Sequence, residues 1–217
     1  MENERKYINF RKVLGELSLI FDARSVECYV DETLKEANCL LCYAYIDNTA
    51  GLTYEVLAAA HYYDESYYFV GERKGLGFKI RAESITEDLV LPIENSALRH
   101  KYEDLIENID THYACGKDIM RIRGFRRLDK FRHPNYPDDM LVTLYSEKYE
   151  KFEGVWVKVN KQIETAASDE DVFAGILLNE PNRDYGVHAG QEIRFLYHKV
   201  DDDRVLLYTP GFNELLK

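Results

Sequence analysis

Two cysteines stand three residues apart, at Cys39 and Cys42, and Cys-x-x-Cys is the spacing of redox pairs and zinc sites. A redox pair needs a lowered thiol pKa at a helix N-terminus, and zinc needs two further ligands at matching spacing. This pair lies inside the apolar run 37–46, and Cys28 and Cys115 are distant in sequence. We therefore interpret Cys39 and Cys42 as small buried apolar side chains and expect no metal site.

The histidines and glycines offer no stronger chemical motif. No histidine has the His-x-His or His-Glu-x-x-His spacing, so neither a metal nor another cofactor is predicted. The three glycines of residues 71–77 lack the Gly-Lys-Ser/Thr ending of a phosphate loop, and we expect a hairpin turn there. His133 stands near Asp138 and Asp139 and could do acid–base work, although ordinary loop polarity is the simpler interpretation. We assign no catalytic residue and favour a protein without enzymatic activity.

The net charge of the chain indicates which classes of partner it could bind. The chain of 217 residues has 28 basic and 39 acidic side chains and a net charge of −11. Nucleic acids and anionic membrane surfaces need a basic face, so this balance disfavours both. It favours a basic protein partner, because opposite charges speed encounter.

The sequence contains no apolar run of about 18 residues and no apolar signal segment near Met1, and four cysteines suit a reducing compartment. We expect a cytoplasmic protein.

Tyrosines concentrate around the pair Asp64-Glu65, with Tyr62 and Tyr63 before it and Tyr67 and Tyr68 after it. Tyrosine supplies rigid contact area with a polar tip and is enriched at protein interfaces. A tyrosine-rich sheet face packed on a helix is the structural alternative. Our hypothesis for the partner-binding residues is the set Tyr63, Asp64, Glu65, Tyr67, Asp138 and Asp139.

Basic residues concentrate in residues 117–132, which hold seven basic and two acidic side chains and leave −16 for the rest of the chain. Phe125 and Phe131 interleave with the arginines, a combination that can bind phosphate or a nucleic-acid strand. The alternative is an internal counterpart to the acidic surface. An enzyme or small-anion-binding protein is thus a second functional hypothesis, with its site between the Arg-rich stretch 121–132 and the loop 179–190. Its ligand-binding residues would be Arg121, Arg123, Arg126, Asn179, Glu180 and His188.

The elements that must position these residues follow from periodicity. Helical spacing of apolar residues predicts helices, and Tyr- or Val-rich runs between turn residues predict strands. The predicted helices are 3–21, 31–46 and 95–109. The predicted strands before residue 130 are 54–62, 66–71, 78–80, 89–91 and 119–125.

The segment His133–Asp139 contains two prolines in four residues and breaks regular structure. We place a domain boundary here, giving domains 1–135 and 136–217. Closely spaced strands follow it, which predicts a small antiparallel sheet or half-open barrel. These strands are 140–145, 154–160, 172–178, 192–199 and 204–208. The predicted class is α+β: a helix-rich N-terminal part with a small antiparallel sheet, then a mostly β, half-open barrel-like C-terminal domain.

The C-terminal domain carries three linked motifs: Val-Trp-Val-Lys-Val at 155–159, Gly-Ile-Leu-Leu-Asn-Glu-Pro at 175–181, and His-Ala-Gly-Gln-Glu-Ile-Arg-Phe at 188–195. Over residues 150–200 this pattern resembles the bacterial family called domain of unknown function 2314. Gln191 stands where that family tends to have Asp. The Asp-Trp pair that closes the family's motif is not evident after Phe195. Related small domains occur in toxin–immunity neighbourhoods, so the resemblance implies an immunity or accessory binding role.

The same motifs also have a purely structural interpretation. Gly175 inside a strand predicts a bulge or a close backbone approach, and Gly190 predicts an unusual backbone angle. Trp156, the lone tryptophan, is expected to fill the core. Our leading hypothesis is a non-catalytic, cytoplasmic bacterial binding protein, an immunity or accessory protein by resemblance, that presents an acidic, tyrosine-bearing surface to a basic partner.

Overall fold

The chain divides into two compact units that each combine helix and strand. The computed structural model describes residues 6–30, 35–72, 77–149, 151–163, 171–200 and 203–210. The first unit comprises Met1–Ala114 with Pro134–Tyr136, and the second comprises Cys115–His133 with Pro137–Lys217. The α+β class is confirmed.

An antiparallel sheet forms the frame of the first unit. Its strands are β1 (Leu17–Ile20), β2 (Cys39–Asp47), β3 (Gly51–Tyr63), β4 (Ser66–Glu72), β5 (Lys79–Arg81) and β6 (Val90–Ile93). The strand order is β4-β3-β2-β1-β6, with β5 also paired to β3. The predicted hairpin is confirmed, because β3 and β4 pair across the turn Asp64-Glu65. Part of the predicted glycine turn, residues 73–76, lies outside the described residues.

Helices cover both faces of this sheet. They are α1 (Phe10–Val13), α2 (Ala23–Tyr29), α3 (Ser96–Lys101) and α4 (Glu103–His112). Successive residues of a strand point to opposite faces. Leu40 and Cys42 of β2 accordingly join the apolar cluster containing α1 and α2, whereas Leu41 and Tyr43 join the one containing α3 and α4. The predicted helix 95–109 corresponds to α3 and α4, with the Asn95 side chain accepting from Leu98 N at 3.0 Å.

Two of the predicted N-terminal helices are corrections. Helix 3–21 is replaced by the four-residue α1 and the strand β1, and helix 31–46 by the strand β2 from Cys39 onwards. Residues 3–5 and 31–34 lie outside the described part. All residues of β1 and β2 are buried, so their apolar runs do not alternate. A short apolar run cannot be told from a buried helix by periodicity, which is why the prediction failed here.

The second unit is a closed five-stranded barrel in the order β10-β11-β7-β8-β9. Its strands are β7 (Asp139–Leu144), β8 (Glu153–Ile163), β9 (Val172–Leu177), β10 (Glu192–Val200) and β11 (Asp203–Tyr208). All five predicted strands are present, but the barrel is closed rather than half-open. An odd number of strands that alternate in direction makes the first and last parallel. Closure is accordingly a parallel pair, with Leu207 opposite Thr143 and Tyr208 opposite Leu144.

Side chains fill the barrel interior, as expected at this strand number. Val155, Val157 and Val159 of β8 alternate inward and are fully buried, as are Phe173 and Phe195. Trp156 corrects a prediction, because it lies on the outer side of β8 and is only half-buried. Alternation along β8 forces this position, since its two valine neighbours occupy the inner face.

Residues 117–131 form helix α5 (Lys117–Gly124) and a 3-10 segment (Arg126–Phe131), which corrects the predicted strand 119–125. Ile119, Ile122 and Arg123 are the less exposed positions of α5, and this spacing is helical. Ile122 and Leu128 are fully buried in the barrel cluster. The predicted boundary at 135/136 is therefore displaced, since Cys115–His133 belong with the barrel.

Gly175 provides a test of the barrel packing. A Cβ atom here would lie 2.4 Å from the Lys158 carbonyl oxygen and 2.7 Å from Val157 Cγ1, next to a register shift between Val159 and Lys161. We expect Gly175→Ala to lower the free energy of unfolding by about 1–3 kcal/mol. Urea unfolding of the full chain measures this. Gly124→Ala is the control, because that exposed helical glycine has open space around it and should give no loss.

Candidate functional site

The β3–β4 hairpin holds the strongest candidate surface. Asp64 and Glu65 form its two-residue turn with φ angles of +50° and +59°. Two positive φ values are the signature of a type I′ turn, which matches the twist of paired strands. The flanking Tyr63 is 76% exposed, and Tyr68 on β4 is 53% exposed. Two exposed carboxylate residues therefore lie between two exposed tyrosines in the chain.

Neighbouring side chains support these rings from the strands. The His61 ring lies 5.2 Å from the Tyr68 ring at a shallow angle. The half-buried Tyr67 accepts a hydrogen bond at its hydroxyl from Asn95 Nδ2 at 2.9 Å, and its ring contacts Phe69. Sequence reasoning grouped Tyr63, Asp64, Glu65 and Tyr67 as one surface. The first three are exposed at the turn, whereas Tyr67 lies on the other face of the hairpin and packs with the cluster of α3 and α4. Sequence reasoning missed His61, which register alone could have found as the cross-strand neighbour of Tyr68.

Negative charge is concentrated in the same unit. The first unit carries 12 basic and 21 acidic side chains, a net charge of −9, whereas the second carries 16 and 18, a net charge of −2. Within the described residues, no basic side chain forms an ion pair with Asp64 or Glu65. Both turn residues are exposed to solvent.

Asp138 and Asp139 are corrections to the predicted partner surface. Asp138 receives two hydrogen bonds from Arg123, from Nε at 2.8 Å and Nη2 at 2.6 Å, and both side chains are about 13% exposed. Asp139 is buried, with Lys158 Nζ at 3.8 Å, and desolvation raises the pKa of its carboxyl. Both residues follow Pro134 and Pro137 and lie at the start of β7, where their side chains are largely buried. Neither offers an exposed charge to a partner.

The Arg-rich stretch is bonded within its own unit. Arg127 pairs with Asp171 at 2.6 Å and Lys130 pairs with Asp203. The buried Arg132 donates to the carbonyl oxygens of Ile122 and Pro137. Arg123 is bonded to Asp138, and Arg121 also has contacts of its own. Arg123, Arg127 and Lys130 therefore neutralise acidic groups of the same unit, as the simpler interpretation proposed.

The loop 179–190 is held by its own polar residues. Asn179 Oδ1 accepts from Trp156 N at 2.7 Å, and Glu180 accepts from His188 Nδ1 at 2.7 Å and from Ala189 N at 2.8 Å. The hydrogen bond to His188 lowers the pKa of Glu180, and the same bond raises the pKa of His188. Gly190 has the predicted positive φ, +85°. The motif residues thus secure the connection between β9 and β10.

Residues of the second hypothesis have partners of their own within the second unit. Arg123 is bonded to Asp138, and Glu180 and His188 are bonded to each other. Asn179 accepts from the Trp156 backbone. Arg123 and the loop residues are thus bonded to different groups.

The cysteine pair also lacks reactive geometry. Cys39 and Cys42 are fully buried and belong to apolar clusters on opposite faces of the sheet. Burial raises the pKa of Cys39 to about 11 and raises that of Cys42 as well. Among the described residues, no group of three or more His, Cys, Asp or Glu side chains could hold a metal ion. The apolar interpretation of the pair fits this placement.

Open clefts occur beside α3 and α4. Two adjoining clefts of about 360 and 350 Å³ share Ser96 and Arg99. Arg99 Nη1 donates to the Gly15 carbonyl oxygen at 2.8 Å and lies 3.9 Å from Glu16. Small-molecule pockets are mostly apolar with a few convergent polar groups. These clefts are lined mainly by polar and charged side chains, so they do not have that character.

Comparison with known proteins gives no relative. No family model, no curated protein and no solved structure matches the chain. In the part of the chain that is described, no helix has the length and apolar character to cross a membrane.

Asp138 and Asp139 should respond oppositely to loss of charge. A raised pKa means that ionised Asp139 destabilises the fold above its folded pKa, and this penalty disappears as pH falls below the ordinary Asp pKa. We expect Asp139→Asn to raise the urea midpoint at pH 7 and to lose this advantage near pH 3. Asp138→Asn should lower the free energy of unfolding at pH 7 by about 2–4 kcal/mol, because it removes the carboxylate that pairs with the Arg123 guanidinium. Equal effects of both would contradict the assignment.

The cysteines should differ in reactivity. Cys28 is exposed, whereas Cys39 and Cys42 are buried with raised pKa values. Thiolate is the reacting form, so both buried thiols should react with a disulfide reagent at pH 8 only when the protein unfolds. Mass spectrometry of labelled peptides with and without urea checks this order. Rapid native labelling of Cys42 would show that its face is open.

Proposed function

We propose that the protein is a non-catalytic binding protein that presents the tip of its β3–β4 hairpin to a basic protein partner. The supporting surface is defined by Tyr63, Asp64, Glu65 and Tyr68, and we call it the hairpin tip. The proposal assigns neither a catalytic site nor a metal site.

The turn conformation carries the proposal. Residues with positive φ are usually Gly or Asn, and a left-handed conformation costs other residues roughly 1–2 kcal/mol. Glu65 adopts φ +59° in a turn where Gly would be favoured. Unfavourable backbone conformations persist mainly where they serve binding or catalysis. Here the unfavourable residue adds an exposed carboxylate beside that of Asp64, which supports selection for charge at this point.

Exposed aromatic rings add contact area to that charge. Tyr63 is 76% exposed, so most of its surface is open to solvent. Tyrosine is enriched among the residues that contribute most to protein interfaces, because its ring is large and has few rotatable bonds. A basic side chain can pack over such a ring while it pairs with a neighbouring carboxylate. Tyr63 beside Asp64 offers this combination.

The charge of the first unit, −9, supports a basic partner rather than a neutral one. Complementary charge accelerates encounter and rejects partners of the same sign. An immunity or accessory protein also acts by binding, so the resemblance of residues 150–200 to the bacterial family agrees with this class. We place the protein in the cytoplasm, since its four cysteines are free thiols.

Photo-crosslinking in host cells tests the proposal. A photoreactive phenylalanine analogue at position 63 should capture a protein rich in Lys and Arg, and capture should weaken at high salt. The positional control is Phe152, which is 65% exposed in the second unit. The same species captured equally from both positions would overturn the proposal.

The turn variant D64N/E65G separates binding from stability. Asn-Gly is the preferred type I′ pair, so we expect the free energy of unfolding to rise by about 1 kcal/mol. Capture from position 63 should fall at least tenfold, because both carboxylates are gone. D104N/E107Q on the exposed face of α4 makes the same charge change and should retain capture. Loss of capture in both variants would show that only net charge matters.

A further inference from the structure

β4 is an edge strand with little protection against pairing. It ends the strand order, so no strand among the described residues pairs with its outer side. Natural edges are shielded by Pro, Lys or short length. The opposite edge, β6, has four residues and contains Pro92. β4 has seven residues, Ser-Tyr-Tyr-Phe-Val-Gly-Glu, without Pro or Lys.

The backbone groups that point outward from β4 can be identified from its register. Asn38 bonds both backbone groups of Tyr62, at 2.9 and 2.8 Å, and its own N–H donates to the Ala60 carbonyl at 3.1 Å. Those backbone groups therefore point away from β4. Tyr67 pairs with Tyr62, and Phe69 pairs with Ala60. These are non-hydrogen-bonded antiparallel pairs, in which the backbone N–H and C=O of each residue point away from its partner. The N–H and C=O groups of Tyr67 and Phe69 therefore lie at the open edge of β4.

A β-bulge limits this edge. The register shifts between Ala59 and Ala60, which leaves Val70 as the extra residue on β4. Uninterrupted pairing from the turn therefore covers only Ser66–Phe69, directly beside Asp64 and Glu65, and pairing resumes at Gly71. Four backbone hydrogen bonds are available there, two at Tyr67 and two at Phe69. This matches a short extended segment of a partner rather than a long strand.

We propose that the β4 edge receives an extended, basic segment of the partner by strand addition, with its basic side chains beside the turn carboxylates. This inference rests on the proposed function, since it specifies how the hairpin tip holds its partner. Main-chain hydrogen bonds give affinity in such complexes, and the side chains give specificity. Tyr68, stacked on His61, borders the segment on one face of the sheet.

Charge favours a basic segment over a second copy of this chain. Each unit contributes a net charge of −9, so two such edges repel each other. A Lys-rich extended segment meets the turn carboxylates Asp64 and Glu65 with attraction, whereas Glu72 is already paired with Lys101.

A synthetic probe separates strand addition from charge attraction. The probe is the peptide acetyl-Lys-Val-Lys-Val-Lys-amide, titrated into the full chain at low salt and followed by NMR. Bound peptide should slow the hydrogen exchange of the Tyr67 and Phe69 amides at least tenfold. Two control peptides carry N-methyl groups, one on the odd-numbered and one on the even-numbered backbone amides, and both keep the charge of the probe. One of the two should bind at least tenfold more weakly than the unmethylated peptide.

The variants Tyr67→Pro and Tyr67→Ala supply the matched comparison on the protein. Both lose the Tyr67 ring, but only Pro lacks the outward N–H, and Pro is tolerated on strand edges. We expect Tyr67→Pro to bind the peptide at least fivefold more weakly than Tyr67→Ala. Unchanged exchange of the β2 amides would show that both variants are folded.

The outcomes distinguish the two levels of the proposal. Binding that depends on Asp64 and Glu65 but is insensitive to N-methylation and to Tyr67→Pro overturns strand addition and leaves the hairpin tip as a charged contact. Binding unaffected by D64N/E65G, or absent at low salt, counts against both. Protected Tyr67 and Phe69 amides without peptide, together with a dimer by light scattering, would assign the edge to a second copy.

Discussion

The first unit depends on the burial of β2 on both faces. Nine consecutive residues, Cys39–Asp47, are buried in the centre of the sheet. A strand with two apolar faces requires a cover on each, and the helices α1 and α2 on one face and α3 and α4 on the other supply it. Once both faces are covered, the edges and the extended β3–β4 hairpin are what the sheet can still offer to a partner. The position of the hairpin tip follows from this requirement.

The second unit follows a different constraint. A five-stranded barrel has an interior that its own side chains fill, so a ligand cannot occupy it. Phe173 and Phe195 stack within this interior at 6.0 Å. The basic stretch after Cys115 then packs on the barrel and pairs with its acidic groups, as Arg127 does with Asp171. Packing thus accounts for a charge cluster that resembles a binding site in the sequence.

Sequence reasoning succeeded where a strand has one solvated face or where turn residues mark a hairpin. In the barrel, β8, β10 and β11 alternate inner and outer residues, so their period of two is visible, and Gly175 shows the predicted close approach. The β3–β4 hairpin was predicted from its turn residues, since β3 is buried along most of its length. Sequence reasoning failed for β1 and β2, whose full burial removes alternation, and for α5, whose few apolar residues also fit a strand. Asp138 and Asp139 could not be placed, since local sequence does not reveal that Arg123 folds back onto them. For the candidate site, composition located the hairpin tip, but only the register identified the outward amides of Tyr67 and Phe69.

The parallel seam of the barrel has a consequence for the order of folding. Leu207 pairs with Thr143, 64 residues earlier in the chain. The four strands β7 to β10 can pair successively as they leave the ribosome, whereas the seam must wait for β11. Until then β7 and β10 both have open edges, and such edges invite pairing between nascent chains. Non-local closure is also slow compared with hairpin formation. The barrel of this protein is therefore exposed to aggregation during its synthesis until β11 has emerged.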